Sequence, residues 1–204
     1  MEVAAAIFAG GRATRLGGVD KPLVMIDGET ILARQLRALE GIADEILIVV
    51  DRAGRLPLPA GVREVIDARP GEGPLAALEA ALAATECKQL LAFGGDLPAL
   101  SRAAITLVRD HAPDADACVP LVDGRWQSLH ARYARRVLPI VRELLDAGER
   151  SLRSLLGLGR IVVAPLEEQP LRAVDPTLLT LAGVNTPEEL AHLAARLHAL
   201  RVQD

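Results

Sequence analysis

Aromatic side chains are scarce in this sequence, whose 204 residues include one Trp, one Tyr and two Phe. Proteins that bind single-stranded nucleic acids stack the bases on aromatic side chains, so this composition disfavours that class. The formal net charge of −4 also lacks the basic excess that is typical of nucleic-acid-binding domains. We therefore expect no nucleic-acid partner, and we expect a small anionic ligand wherever basic residues cluster locally.

Cysteine is scarce as well, and the two cysteines are Cys87 and Cys118. They are far apart in the sequence, and neither belongs to a CxxC pattern. A zinc site or a disulfide framework is therefore not expected, and two buried thiols in a reducing compartment are predicted. Long apolar runs are also absent, because the first one, at 3–9, ends at glycine and follows an acidic residue. This segment predicts a strand and neither a signal peptide nor a membrane span. We expect a cytoplasmic protein without a membrane partner.

Apolar strands alternate with amphipathic helical segments along the chain. The pattern predicts strands at 3–8, 45–50, 63–66, 90–93, 117–122, 128–133, 160–165 and 178–184. It predicts helices at 30–39, 74–84, 102–111 and 134–147. A last helix follows Thr186, a good N-cap, with Pro187 at its first position and Glu189 completing a capping box. This alternation indicates an α/β fold with a doubly wound sheet.

Such sheets bind ligands beyond the carboxyl ends of their strands, so the loops that follow strands carry the information about function. The first loop, GGRATRLGGVDK, begins with Gly10 and Gly11 and also contains Arg12, Arg15 and Lys21. Glycine lets the backbone approach a ligand closely, and backbone amides together with these cations can hold a triphosphate. The alternative is a glycine-rich turn whose charges are solvated.

Two common nucleotide-binding motifs are missing from this loop. The dinucleotide fingerprint G-x-G-x-x-G does not occur, and the P-loop fails because Lys21 is followed by Pro22. A dinucleotide-dependent dehydrogenase is therefore disfavoured.

Polar residues follow three other predicted strands. Asp96, in FGGDLP, is placed to hold Mg²⁺, which prefers one or two carboxylates plus substrate phosphates. Asn185, in VNTP, offers a neutral oxygen to the same metal, and Asp67 offers a carboxylate to the N–H groups of a guanine. Each has a structural alternative as a turn or capping residue.

With these four loops together, the chain resembles the molybdenum cofactor guanylyltransferases of the nucleotidyltransferase superfamily. The segments that carry the resemblance are FAGGRATRLGGVDK at 8–21, GPLAAL at 73–78, GGDLP at 94–98 and VNTPEEL at 184–190. They span nearly the whole chain. The Gly-Gly pair and GVDK resemble the guanylyl branch more than the related cytidylyltransferases.

The resemblance implies a three-layer α/β/α, Rossmann-like nucleotide-diphospho-sugar transferase fold in one domain, 1–204. Its nucleotide-binding part would span about 1–110 and its acceptor-binding part about 111–204. It also implies transfer of GMP from GTP to the terminal phosphate of molybdopterin, with Mg²⁺ as cofactor and pyrophosphate as product. GTP and molybdopterin would be substrates, and transient contact with proteins that supply or accept the cofactor is compatible with this role.

The resemblance assigns roles to individual residues. The nucleotide-binding set is Phe8, Ala9, Gly10, Gly11, Arg12, Lys21, Asp51, Asp67 and Asp96. Arg15, Lys21 and Asp96 would be catalytic, and Asp96 and Asn185 would hold the metal. His130 is predicted as a packed strand residue, with a place beside the acceptor as the alternative.

Two other functions stay open at this point. One is a related nucleotidyltransferase that uses CTP or a sugar-phosphate acceptor. The other is a non-catalytic nucleotide-binding protein that delivers cofactor, although a degenerate site would need neither Lys21 nor Asp96.

Overall fold

The computed structural model describes residues 2–10 and 20–201. The strands are β1 (Val3–Phe8), β2 (Met25–Ile26), β3 (Glu29–Thr30), β4 (Glu45–Val50), β5 (Val62–Ile66), β6 (Gln89–Gly94), β7 (Ala117–Val122), β8 (Arg125–Trp126), β9 (His130–Ala134) and β10 (Val163–Glu167). The helices are α1 (Ile31–Leu39), α2 (Pro74–Ala84), α3 (Arg102–Asp110), α4 (Leu138–Asp146), α5 (Leu152–Gly157), α6 (Glu168–Val174) and α7 (Pro187–Arg201).

One large sheet organises these elements, in the strand order β10, β7, β9, β6, β1, β4, β5. Strand β9 runs antiparallel to both of its neighbours, and the other adjacent pairs along this order are parallel. The carboxyl ends of β1, β4, β5 and β6 therefore meet at one edge. This mostly parallel sheet confirms the predicted α/β class.

Helices cover both faces of the sheet. On β1, Ala4 and Ala6 belong to a core cluster with α2, α4 and α5, whereas Ala5 and Ile7 belong to a second cluster with α1, α3 and α6. Successive side chains of a strand point to opposite faces, so this split is the signature of a strand buried on both sides. The predicted three-layer arrangement is confirmed.

The predicted strand at 178–184 is wrong, because Leu179–Leu181 forms a 3₁₀ turn. Leu178 has a left-handed backbone with φ of 51°, and the carboxylate of Asp175 accepts a hydrogen bond from the Thr180 amide at 2.9 Å. These features bend the chain. Leu179 and Val184 then pack in a separate cluster with α1 and α7, whereas Leu178 and Leu181 pack against the core on one face of the sheet.

Other predicted boundaries hold closely, with local differences. Strand β10 begins after the predicted start at Arg160, and the Val162 amide instead donates to the Asp116 carboxylate at 2.8 Å. The helix predicted at 134–147 begins with a 3₁₀ turn, Arg135–Val137, before α4. The capping box is confirmed, because Thr186 and Glu189 exchange hydrogen bonds of 3.1 and 3.2 Å between side chains and amides.

The hairpin of β7 and β8 and helices α5 and α6 were not predicted. Asp123 and Gly124 at the hairpin turn both have positive φ, the conformation of a tight type I′ connection. Among residues 2–10 and 20–201, no helix is both long and apolar enough to cross a membrane.

His130 lies fully inside the core at the start of β9. Its Nε2 atom is 2.8 Å from the hydroxyl of Thr180, and its ring packs edge-on against Phe93 with ring centres 5.2 Å apart. Burial lowers the pKa of His130 to about 4, so the ring is neutral at neutral pH. The prediction of a packed strand histidine is confirmed.

This burial predicts an acid-sensitive fold. The pKa in the folded state lies below the ordinary 6.5, so the unfolded state binds the proton more readily. The stabilising contribution is present above pH 6.5 and is lost as the pH falls towards 4. Between pH 7.5 and 5.0 the protein should lose about 2 kcal/mol of unfolding free energy through this group.

Urea unfolding at both pH values, on the wild type and His130→Gln, measures the effect. The variant should lose about 2 kcal/mol less than the wild type over this range. His192→Gln is the matched control, because that histidine is exposed on α7. Equal losses in wild type and His130→Gln would contradict the assignment.

Candidate functional site

The largest set of predicted site residues meets in one cavity at the carboxyl edge of β1, β4, β5 and β6. This cavity, called the main cavity below, has a volume of about 380 Å³. Its wall consists of Phe8, Ala9, Gly10, Lys21, Pro22, Asp51, Arg55, Asp67, Gly71, Gly73, Pro74, Ala77, Gly94, Gly95, Asp96 and Leu129. Gly11, Arg12 and Arg15, which were predicted as phosphate contacts, lie outside the residues that the structure describes.

The glycines of this wall serve different purposes. A Cβ on Gly95 would lie 2.8 Å from the carbonyl oxygen of Phe8, and the Gly95 amide donates to that oxygen at 3.1 Å. A Cβ on Gly94 would lie 2.6 Å from Oδ1 of Asp96. These two glycines let the ends of β1 and β6 approach and leave room for the carboxylate. A Cβ on Gly10, in contrast, would meet nothing within 4 Å among the described residues, so none of them crowds that position.

The different surroundings of Gly95 and Gly10 predict that substitution by alanine changes the free energy of unfolding at one position and not at the other. Gly95→Ala should lower the free energy of unfolding by roughly 1–3 kcal/mol, because backbone at two strand ends must move apart. Gly10→Ala is the matched control and should leave stability within about 0.5 kcal/mol of the wild type. Urea unfolding compares the two variants, and equal stabilities would contradict the packing role of Gly95.

Lys21, Asp96 and Asn185 come together beside the glycines. The Lys21 ammonium donates to Oδ1 of Asn185 at 2.5 Å and lies 3.8 Å from the Asp96 carboxylate. Asp96 and Lys21 are both about one-third exposed, at 30% and 27%. A ligand can therefore reach both charges. Asn185 is not part of the main-cavity wall, and its amide oxygen is already engaged by Lys21.

The chain near Asn185 is fixed by backbone contacts. The Asn185 amide donates to the Glu189 carboxylate at 2.6 Å, which belongs to the capping box of α7. The Val184 amide donates to the main-chain oxygen of Asp96 at 2.9 Å. Gly183 lies close as well, since a Cβ there would be 3.3 Å from Oδ2 of Asp96. The loop after β6 and the start of α7 thus form one support for Asp96.

The donor set suits magnesium. Mg²⁺ prefers hard oxygen ligands and usually takes one or two carboxylates together with substrate phosphates. Asp96 supplies a part-exposed carboxylate, and Asn185 would supply an amide oxygen once Lys21 releases it. Within the described parts of the chain, no cluster of three or more His, Cys, Asp or Glu side chains could hold a metal alone. A metal here would complete its ligands with water and substrate phosphate oxygens.

Asp67 lines the main cavity after β5, as predicted. Burial raises the pKa of its carboxyl, and the Arg69 amide opposes this by donating to Oδ1 at 2.8 Å. A desolvated carboxylate gains strongly from N–H donors, because few waters compete for its oxygens. The position is suited to the N–H edge of a base such as guanine.

Arg55 is a wall residue that the sequence patterns did not reveal. Its guanidinium, 5% exposed, pairs with Asp51 at 2.8 Å and with Asp20 at 2.7 Å. The hydrogen bond from Arg55 holds the pKa of Asp20 below its ordinary value. Arg55 thus ties the loop after β4 to the residue before Lys21. The i,i+4 spacing of Asp51 and Arg55 was the only sequence signal for this link.

This fold and site define a class of enzyme, the nucleotidyltransferases. A mostly parallel sheet presents glycine backbone, a lysine and an aspartate to one cavity, which suits a nucleoside triphosphate. Residues 5–166 match the family model described as the MobA-like NTP transferase domain. The chain therefore belongs to that family.

Individual relatives agree with this membership. A probable molybdenum cofactor guanylyltransferase of Methanosarcina acetivorans is 30% identical over 199 residues, covering 91% of this chain and 87% of the relative. A molybdenum cofactor guanylyltransferase of Pseudomonas putida is 34% identical over 186 residues, covering 90% and 93%. The crystal structure of molybdopterin-guanine dinucleotide biosynthesis protein A from Archaeoglobus fulgidus matches with a TM-score of 0.79, at 21% identity, over 96% of this chain and 99% of that one.

Proposed function

We propose that this protein is a molybdenum cofactor guanylyltransferase, which transfers GMP from GTP to a molybdopterin phosphate and releases pyrophosphate. The observation that carries the proposal is the pairing of Lys21 and Asp96 at 3.8 Å in the wall of a cavity that glycine backbone also lines. Family membership and the names of the relatives support the same reaction. Buried, unpaired cysteines among the described residues are compatible with a cytoplasmic setting.

In the proposed reaction a phosphate oxygen of the acceptor attacks the α-phosphorus of GTP. A new P–O bond forms, the bond between the α-phosphorus and its bridging oxygen breaks, and pyrophosphate takes the electron pair. The acceptor phosphate is already ionised near neutral pH, because its second pKa is about 6. No general base is therefore required, and among the described wall residues none is a histidine.

The residues of this chain would contribute alignment and charge. Open backbone at Gly10 would admit the phosphates, and the carboxylate of Asp67 would accept hydrogen bonds from guanine. The ammonium of Lys21 would offset the negative charge that builds on the leaving pyrophosphate. Asp96, with Asn185, would hold Mg²⁺, which when bound would polarise the phosphate oxygens.

A nucleotide panel tests the proposal. Pyrophosphate release is measured with Mg²⁺ and molybdopterin, separately with GTP, CTP, ATP and UTP. Release with GTP alone is expected. Release with CTP alone would replace the guanylyl assignment by a cytidylyl one, whereas binding without release for every nucleotide would favour a delivery protein.

A further inference from the structure

A second, smaller cavity adjoins the main cavity. It has a volume of about 220 Å³ and is called the side cavity below. Its wall consists of Leu97, Trp126, Gln127, Ser128, Leu129, His130 and Leu181. Leu129 lines both cavities, and Leu97 directly follows Asp96. The two cavities therefore share one wall residue, and the side cavity also contains the residue next to Asp96.

A histidine with an unpartnered ring nitrogen belongs to the wall of the side cavity. His130 is 1% exposed, and its Nδ1 atom has no hydrogen-bond partner among the described residues. A buried polar atom without a hydrogen-bond partner lowers the stability of the fold, and a ligand atom that forms this hydrogen bond removes the loss.

The hydrogen bonds of the neighbouring residues indicate which kind of ligand atom would pair with Nδ1 of His130. The hydroxyl of Thr180 already accepts from the Ser101 amide at 3.0 Å, so its own proton is available for Nε2 of His130 at 2.8 Å. The ring is neutral because burial lowers its pKa to about 4. If the Thr180 hydroxyl donates its proton to Nε2, the proton of the ring resides on Nδ1, which is then a donor. The side cavity thus offers a hydrogen bond to an acceptor such as a carbonyl oxygen or a ring nitrogen.

Trp126 adds a flat surface to the same wall. It is the only tryptophan of the chain and is part-buried, with its indole against the core. The short hairpin of β7 and β8 fixes its backbone, since Trp126 pairs with Leu121 in the ladder. Offset stacking on an indole favours fused aromatic heterocycles.

We propose that the side cavity binds the fused-ring heterocycle of the pterin acceptor, stacked against Trp126 and hydrogen-bonded by His130. The assignment rests on the proposed function, because it places the acceptor phosphate over Leu129, towards Lys21 and Asp96. The volume of the side cavity accommodates a bicyclic ring and leaves the phosphate side chain outside it. Trp126 is then a specificity-determining residue that does not touch the nucleotide.

Steady-state kinetics of Trp126→Ala with both substrates test this placement. The KM for molybdopterin should rise roughly tenfold, since stacking of a base on an aromatic side chain has an energy of that order. The KM for GTP should stay within about twofold of the wild type. Trp126→Phe keeps an aromatic face and should recover most of the acceptor affinity. His130→Gln should also raise the acceptor KM while sparing the GTP KM.

Arg125→Ala is the matched control, because Arg125 is the exposed neighbour of Trp126 on β8. Its two KM values should equal those of the wild type. Thermal unfolding and GTP binding by calorimetry verify that each variant is folded. An unchanged acceptor KM in folded Trp126→Ala, while the wild type remains active, overturns the side-cavity assignment alone. A wild type that releases no pyrophosphate with GTP and molybdopterin overturns the proposed function, and the placement falls with it.

Discussion

Asp96→Asn is expected to reduce the rate of pyrophosphate release on the order of 10³-fold, equivalent to about 4 kcal/mol of transition-state stabilisation. The substitution removes the negative charge that would hold Mg²⁺ and keeps the size of the side chain. The main-chain oxygen of Asp96 still accepts from the Val184 amide, so the fold should survive. Initial rates over a range of Mg²⁺ concentrations measure the loss, and thermal unfolding verifies the fold.

The control for this variant is Asp146→Asn, because Asp146 is 67% exposed and pairs with Arg69 outside the main cavity. Its rate and Mg²⁺ dependence should equal those of the wild type. If Asp96→Asn keeps the wild-type rate and the same Mg²⁺ requirement, the metal is held elsewhere and the proposal for Asp96 fails.

Lys21→Ala is expected to lower kcat/KM for GTP by about 10²–10³-fold, the usual effect of removing one group that stabilises transition-state charge. The sequence has two lysines, Lys21 and Lys88, so Lys88→Ala is a natural control. Lys88 is 74% exposed and pairs with Glu2, away from the main cavity. Pyrophosphate release and GTP binding are compared in both variants. Equal losses in the two would exclude a specific role for Lys21.

The contact between Lys21 and Asn185 makes a sharper experiment possible. If Asn185 acts by positioning Lys21, then Asn185→Ala should reduce kcat/KM in the wild type and have little further effect in Lys21→Ala. If Asn185 binds the metal independently, the two losses should multiply. The double-mutant cycle therefore separates the two roles that the sequence left open.

Most of the sheet could be predicted from the sequence because its central strands are buried on both faces. Strands β1, β4 and β6 are almost continuously apolar, and glycine or an acidic residue marks where each ends. The same reasoning failed at 178–184, where an apolar run forms a turn. Apolar content indicates burial but not conformation, and the bend there depends on Leu178 and Asp175.

The site was partly predictable for a related reason. Lys21, Asp67 and Asp96 follow strands, and parallel strands bring their carboxyl ends to one edge. The role of Arg55 could not be predicted because its second ion-pair partner, Asp20, lies 35 residues away in the chain. The place of Trp126 could not be predicted because β8 has only two residues, which are too few to show a periodic pattern. Contacts that only the folded chain creates leave little trace in local sequence.

Leu129 lies between the main cavity and the side cavity. This separation affects how the substrate preferences of the protein can change in evolution. Apart from Leu129, every described residue of the main-cavity wall lies at or before Asp96. Apart from Leu97, the side-cavity wall comes from residues between Trp126 and Leu181. Recombination with a crossover near α3 would therefore exchange most of the side cavity, together with Asn185, and keep Lys21 and Asp67. Descendants could inherit a new acceptor preference together with an unaltered nucleotide preference.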